Sequence, residues 1–545
     1  MNALPPRTAA AGIPGRMRFR ESLLFAVIGA ILFSGVEFER PAALSNDSYQ
    51  YLSVAASVAN GTGIETPLVH FDSERSSGLM PAPMTTFAPG FPVAVALSSF
   101  LAGAAERGAR LISIAASALS VLLIWALANF AGLDRASTRV GMALLLCNAF
   151  FLHASTAVAT EPLFLLVSLL GLLVLAFSIE GLPGERARWK GLATGQILVA
   201  ASYSIRYAGV FVFAAVVVHA AMVWVLSRNR RSLLYLLSNA ISGALIGSIM
   251  IRNLVLVGSW KGGNEKHVSN TMPAVLGDYV RAQFHLLFGM HITDAWVISI
   301  AVLSAIAVFR GATTLLRNSP HMAPLLSSGG LLFVYGAVST ASLIYLGKTS
   351  VIGFGPRMFY PLLPLYIIGA LAMVQRGWAP AVSGRVPAHY RRGFALLFVA
   401  LYGWVNLREF DTPREHSLVE DFRGSFGKPM ENGQPIGAWI DANIGPNEAI
   451  AADSGQATGY FLKRPVLSLI ESHYSTIAWD RETLSRQMRR FHARFLILNL
   501  TMTAEADPVR TESEFLANAI CCRANPGFHV VAENPDIRIL EINDR

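Results

Sequence analysis

The sequence predicts an all-α polytopic membrane bundle of about 11 transmembrane helices followed by a small C-terminal α/β domain, and three observations carry that prediction. The 545 residues are 53% hydrophobic and only 14% charged, with a mean hydropathy of +0.46, an apolar excess outside the range of soluble domains. The basic residues fall in short clusters between apolar segments, as the positive-inside rule distributes them. Beyond Glu409 the chain becomes charged, with short apolar runs separated by turn residues.

Apolar segments of about 17 to 25 residues are taken as spans, and Lys/Arg clusters choose the side. Arg7, Arg16, Arg18 and Arg20 hold the N-terminus in the cytoplasm, so the first span, Ser22 to Val36, exits. No small-residue cleavage site precedes Glu37, and the span reads as an uncleaved anchor. The inner connections are then Arg135/Arg139, Arg186/Arg188/Lys190, Arg228/Arg230/Arg231, Arg310/Arg317 and Arg376/Arg385/Arg391/Arg392. For Arg135 to lie inside, Pro89 to Ala104 must not cross; its Pro-Gly-Phe-Pro start and short length suit a re-entrant or interfacial helix. Residues 1–408 thus form the transmembrane unit, with a long first outer loop over 37–107. Residues 409–545 form the extracytoplasmic domain, with strands expected at Glu448–Ala452, Pro465–Leu469, Phe495–Leu500, His529–Ala532 and Ile537–Ile542 and helices at Arg481–Phe491 and Glu512–Ile520.

The same composition narrows function. The net charge of +9 follows from topology and does not point to nucleic acid. Three cysteines without a C-x-x-C or Cys/His cluster make neither a disulfide framework nor a zinc site, so no cofactor is expected and a divalent metal is not indicated. No nucleophile-elbow or phosphate-loop spacing occurs in the C-terminal region, which reads as support or acceptor recognition.

Asp47 is the residue that stands out. It opens Asn46-Asp47-Ser48-Tyr49-Gln50-Tyr51-Leu52 just after the first span, at the membrane–water boundary. A charge there is costly unless hydrated, paired or used. Ser45 or Asn46 can cap a helix that runs to the stop at Asn60-Gly61. On it Asp47, Gln50, Tyr51, Val54 and Val58 share one face, which predicts an amphipathic helix lying on the membrane.

Three segments, Asp47 to Ala55, Ala59-Asn60-Gly61-Thr62-Gly63 and Phe87-Ala88-Pro89-Gly90-Phe91-Pro92, are similar to the first loop of polytopic GT-C glycosyltransferases of the protein O-mannosyltransferase and lipid A aminoarabinose-transferase superfamily. Ala159-Thr160-Glu161-Pro162-Leu163-Phe164 resembles that superfamily's short second outer loop. Arg357-Met358-Phe359-Tyr360-Pro361-Leu362-Leu363-Pro364 resembles its late Arg-x-x-x-Pro-x-x-Pro segment. The likeness spans roughly residues 22 to 375 in several short motifs.

What the resemblance implies is an integral inner-membrane enzyme of GT-C type that takes a sugar from a polyprenyl-phosphate donor and gives it to a glycan, lipid or protein acceptor at the outer face. A hydroxyl acceptor must lose a proton as it attacks the anomeric carbon, and a positioned carboxylate contributes roughly 10² to 10⁴-fold. Asp47 is the candidate base, and Glu161 the candidate for orienting the acceptor or the base. The departing lipid phosphate needs fixed positive charge at the outer surface, and guanidinium groups grip phosphate oxygens in a fork. Arg206, Arg357, Lys348 and Arg252 fall at predicted outer ends, with Arg252 also able to snorkel. Tyr51, on the Asp47 face, and His70 are candidates for substrate contact. Where the superfamily often has two acids this chain has Asn46-Asp47, so metal dependence of that type is not implied.

Each residue has a plainer alternative. Asp47 and Glu161 could be first-turn acids that complement a helix dipole. Arg206 and Arg357 could pair structurally with acids across the bundle. His70, with Asp72 and Glu74, could be solvated loop, and Tyr49, Trp260, Tyr279 and Trp296 could be interfacial belt residues. A transporter or flippase of a lipid-linked or small polar substrate is the competing function; it predicts internal repeats and midplane charges, neither of which is conspicuous.

Overall fold

A computed structural model of the protein describes residues 16–39, 42, 44–69, 79–180, 185–262, 269–289, 328–349, 354–375, 387–411, 424–469, 479–500 and 527–542. The described chain is mostly helical. Six of its helices are long and apolar enough to cross a membrane: Phe19–Glu39 within α1 (Arg16–Glu39), α4 (Ala105–Phe130), Glu161–Ile179 within α7 (Glu161–Glu180), α9 (Gly209–Ser227), α10 (Arg230–Val257) and Gly329–Thr349 within α12 (Ser328–Thr349). A seventh span is obtained if α5 (Arg135–Leu146) and α6 (Ala149–Thr156), bent by 59°, are counted as one. The expected count of about 11 is therefore not reached among the described residues. One reason is composition: α8 (Glu185–Ile205) opens with Glu185, Arg186, Arg188 and Lys190, which take its first turns out of the apolar class.

The bend has a polar cause. At the break, the Asn148 side chain accepts the Phe151 N–H at 2.9 Å and so caps α6 afresh. Its amide donates to the Leu286 carbonyl at 2.7 Å and to the Tyr402 hydroxyl at 2.9 Å, and the Ala149 N–H at the break donates to Asn406 Oδ1 at 3.0 Å, so the polar groups of the interruption are met inside the bundle rather than in lipid. Leu286 lies in α11 (Met272–Phe288) and Tyr402 in α14 (Ala388–Asp411).

The first loop is ordered around α2 (Asn46–Ala59). Ser45 caps it: the Ser48 N–H donates to Ser45 Oγ at 3.3 Å, and the Ser45 N–H donates back to Ser48 Oγ at 3.0 Å, a reciprocal capping box. The chain leaves at Asn60-Gly61, with Gly61 at φ +77°. α3 (Gly90–Ala102) follows, stops at Gly103 in the left-handed region (φ +76°), and turns back along α4.

Here the surface-helix expectation is corrected. Ser48 to Ala55 are all buried, on both faces of α2. One face carries Tyr51, edge-on to Phe87 and to Phe91 with centroids 5.2 Å apart in each case. The other carries Tyr49, 5.3 Å from both Tyr460 and Phe461 of α16 (Gly455–Leu462). Small alanines and valines between these rings allow the helix to be enclosed in protein, so its amphipathic pattern does not mark a lipid-facing side.

The second covering layer belongs to a six-stranded sheet of order β2-β5-β4-β6-β8-β7. Its strands are β2 (Leu68–Val69), β4 (Ile450–Ala452), β5 (Val466–Ser468), β6 (Phe495–Asn499), β7 (Phe528–Glu533) and β8 (Ile537–Ile542); β1 (Glu65–Thr66) and β3 (Ala82–Pro83) form a separate pair. β2, β5, β4 and β6 run parallel, and β8 and β7 close the sheet antiparallel. β6 is buried at every position, as a strand covered on both faces must be. A helix over Arg481–Arg490 packs beside it through Leu484 and Met488. The expected helix at Glu512–Ile520 lies outside the described residues. The sheet is also not confined to 409–545: β2 comes from the first loop and pairs with β5, Leu68 opposite Val466.

Gly90 fixes the approach of α3 to α8. A Cβ there would sit 2.6 Å from the Ser204 carbonyl oxygen, a backbone atom that cannot swing away. Gly90→Ala is expected to cost about 1–3 kcal/mol, read as a lowered thermal unfolding midpoint of the detergent-solubilised protein.

Candidate active site

Four charged side chains from distant parts of the chain meet at the ends of four elements. Asp47 stands in the first turn of α2, Glu161 begins α7, Arg206 follows the last residue of α8, and Arg357 lies in a 3₁₀ turn, Pro356–Met358. Helix polarity favours three of the four placements, since acids are stabilised at helix N-termini and cations at C-termini.

Glu161 is the centre. Its side chain is 6% exposed, and Oε1 is paired with an Arg206 terminal nitrogen and with Arg357 Nε at 3.2 Å. Arg357 reaches outward as well, its Nη2 donating to Asp47 Oδ2 at 2.5 Å. The Arg357 side chain is 48% exposed and Asp47 27%, so the cluster is buried at Glu161 and open at its Asp47 end. The Arg357 guanidinium is held charged beyond its already high value, first by Glu161 and then by Asp47.

Local structure fixes each member. The Ser48 hydroxyl donates to the Val158 carbonyl at 2.9 Å, tying the start of α2 to the Ala157–Thr160 turn ahead of Glu161. The Arg206 N–H continues α8 by donating to the Ser202 carbonyl at 3.0 Å. Behind Arg357, Phe359 packs edge-on to Tyr279 with centroids 5.0 Å apart, and Tyr360 stacks on Phe151 at 5.8 Å. Both rings are wholly buried, so the turn that bears Arg357 is anchored by its neighbours.

The remaining candidates separate. Tyr51 is buried beside the cluster; burial first, then the Asp47 and Glu161 charges, push its phenol up, so it remains a neutral hydroxyl. Arg252 does not join the acids: its Nη1 donates to the Met84 carbonyl at 3.0 Å and to Asn253 Oδ1 at 3.1 Å. With Asn253, whose amide donates to the Tyr207 hydroxyl at 2.8 Å, it clasps the first loop to α10. Tyr207 extends that clasp by donating to the Thr85 carbonyl at 2.7 Å. Lys348 ends α12 with an exposed side chain that pairs with no acid among the described residues. His70, Asp72, Glu74 and Trp296 lie outside the described residues. Tyr279 is a core residue, its hydroxyl donating to Thr340 Oγ1 at 3.1 Å, whereas Trp260 is exposed. Among the described residues no group of three or more His, Cys, Asp and Glu gathers in metal-holding range.

Thr160 joins the site unforeseen. Its hydroxyl accepts from Arg206 Nη1 at 3.2 Å and lies 3.4 Å from Glu161 Oε2. The sequence signal was adjacency to Glu161, too weak to single out one threonine.

Residues 81–257 match the family profile described as dolichyl-phosphate-mannose-protein mannosyltransferase. No curated protein matches the chain. Among solved structures, ArnT from Cupriavidus metallidurans bound to undecaprenyl phosphate is similar, with a TM-score of 0.57, 12% identity, and coverage of 96% of this chain and 98% of that one. The protein has the GT-C glycosyltransferase fold. The archaeal oligosaccharyltransferase AglB from Archaeoglobus fulgidus, in complex with an inhibitory peptide and a dolichol-phosphate, shares it with a TM-score of 0.54 and 13% identity, over 91% of this chain and 72% of that one. The family profile takes in Glu161, Arg206 and Arg252, while Asp47 and Arg357 lie on either side of it.

Arg206→Ala would leave the buried Glu161 carboxylate with only the exposed guanidinium of Arg357. A loss of about 3 kcal/mol is expected. Adding Glu161→Gln should recover part of it, because the charge needing compensation is then gone; thermal unfolding of the single and double variants measures both.

Proposed function

We propose that the protein is an inverting membrane glycosyltransferase that moves a sugar from a polyprenyl-phosphate donor to an acceptor hydroxyl. The observation that carries this reading is the meeting of Asp47, Glu161, Arg206 and Arg357 in one cluster, open to solvent on the Asp47–Arg357 side. The GT-C fold supports it, as does the presence of a polyprenyl-type phosphate in two similar structures, undecaprenyl phosphate with ArnT and dolichol-phosphate with AglB.

In the proposed reaction the acceptor oxygen attacks the anomeric carbon from the face opposite the phosphate. The new C–O bond forms as the bond to the phosphate oxygen breaks, and the bonding pair leaves on the lipid phosphate. The acceptor proton passes to the Asp47 carboxylate. Arg357 holds the phosphate in a guanidinium fork and stabilises its growing charge. Glu161 and Arg206 form the fixed base of the site, and the neutral Tyr51 hydroxyl borders it. The transmembrane unit of residues 1–408 performs this chemistry at the outer face of the inner membrane, with the N-terminus in the cytoplasm, and the sheet-bearing region over 409–545 faces the outside and supports the acceptor.

The test is incubation of purified protein with a panel of polyprenyl-phosphate sugars, scored by release of carrier phosphate; an inactive protein across the panel counts against the reading. Asp47→Asn should lower transfer at least about 10²-fold with an unchanged unfolding midpoint. Arg357→Ala should act chiefly on the donor, raising its KM by more than it alters acceptor dependence in steady-state kinetics.

A further inference from the structure

Resting on the proposed transfer reaction, we infer that Arg357 is shared in time: it covers the Asp47 carboxylate until a donor phosphate draws it away, so that the base is released only when donor is bound. Three observations on the cluster lead there.

The first is charge balance. Two carboxylates and two guanidinium groups already neutralise one another. A phosphate that entered an unchanged cluster would find no surplus positive charge, and one guanidinium must change partner to receive it.

The second is that the two arginines are held unequally. Arg206 is 20% exposed and tied at once to Glu161 and Thr160. Arg357 is 48% exposed, and among the described residues its Nη1 makes no hydrogen bond, while Nε and Nη2 are taken by Glu161 and Asp47. An open guanidinium edge is what a phosphate engages first, and rotation about the outer side-chain bonds transfers Nη2 from one oxygen to another without moving the turn beneath. That turn is pinned by the buried Phe359 and Tyr360, so the side chain moves and the backbone does not.

The third is chemical. A carboxylate oxygen occupied by a guanidinium N–H at 2.5 Å is covered, and an acceptor hydroxyl cannot hydrogen-bond it from the same side. The same contact that covers Asp47 in this arrangement is the one a phosphate would compete for. Donor binding and base release then become one event, and the carboxylate is not exposed as a base toward an acceptor that arrives alone.

The exchange makes an unusual demand on affinity: removing the Asp47 charge should improve binding of the lipid phosphate, and should do so through Arg357. Binding of undecaprenyl phosphate to the full-length protein in detergent micelles, measured for the wild type, Asp47→Asn, Arg357→Ala and the double variant, tests both halves. Asp47→Asn is expected to tighten binding about three- to tenfold, the scale of a lost competing ion pair. In the Arg357→Ala background the same change should have no effect; Arg357→Gln replaces that variant if it does not fold. Equal tightening in both backgrounds would mean simple relief of like-charge repulsion and would overturn the exchange. So would unchanged or weaker binding in Asp47→Asn. A wild type that binds no lipid phosphate would instead remove the proposed function itself, whereas binding without the Asp47→Asn gain removes the exchange alone.

Discussion

A carboxylate almost fully withdrawn from water must be matched by fixed positive charge, and Glu161 imposes that requirement on the rest of the site. Its side chain is 6% exposed at the start of α7, and two guanidinium groups from well-separated positions in the chain, Arg206 and Arg357, converge on one of its oxygens. Helix dipoles at α7 and α8 contribute, but they do not replace direct pairing at this depth. Once Arg357 is fixed on Glu161 by Nε, its remaining nitrogens face the first turn of α2, and Asp47 is met there. The outer, more exposed half of the cluster thus inherits its geometry from the inner half.

Two supports keep α2 in register with that cluster. On the bundle side, Ser48 bonds the turn ahead of Glu161, and Tyr51 packs between Phe87 and Phe91. On the sheet side, Tyr49 packs on α16, and the short strand β2 that follows is built into the sheet beside β5. The helix bearing the candidate base is therefore clamped between membrane bundle and sheet, and the two regions cannot be treated as an enzyme with an independent appendage. Arg252 belongs to the same logic: at the end of α10 it secures the first loop near Met84, where its guanidinium is satisfied by carbonyl and amide oxygens.

Much was legible from local rules. The Ser45 cap, the Asn60-Gly61 stop and the strands of the C-terminal sheet follow from residue preferences that act within a few positions, and the structure has them at Asn46–Ala59, Ile450–Ala452, Val466–Ser468, Phe495–Asn499, Phe528–Glu533 and Ile537–Ile542. Asp47, Glu161, Arg206 and Arg357 were recognisable because charge at the edge of an apolar segment is costly and so conspicuous. What periodicity misjudged was the environment of α2. A helix with one polar edge looks the same to a pattern whether its apolar face meets lipid or a second layer of protein.

By itself the sequence determined a membrane-embedded helical chain, the local helix and strand signals, and a short set of charged residues near the ends of apolar segments, because hydropathy, capping and charge cost are properties of neighbours in the chain. Only the tertiary structure decided which of those charges meet. It joined Asp47 to Arg357 across 310 positions, placed Thr160 between Glu161 and Arg206, left Lys348 exposed, and lent a first-loop strand to the distant sheet. The reason is physical: ion pairing and strand addition depend on distances in space, which the packing of helices sets and which no local preference encodes.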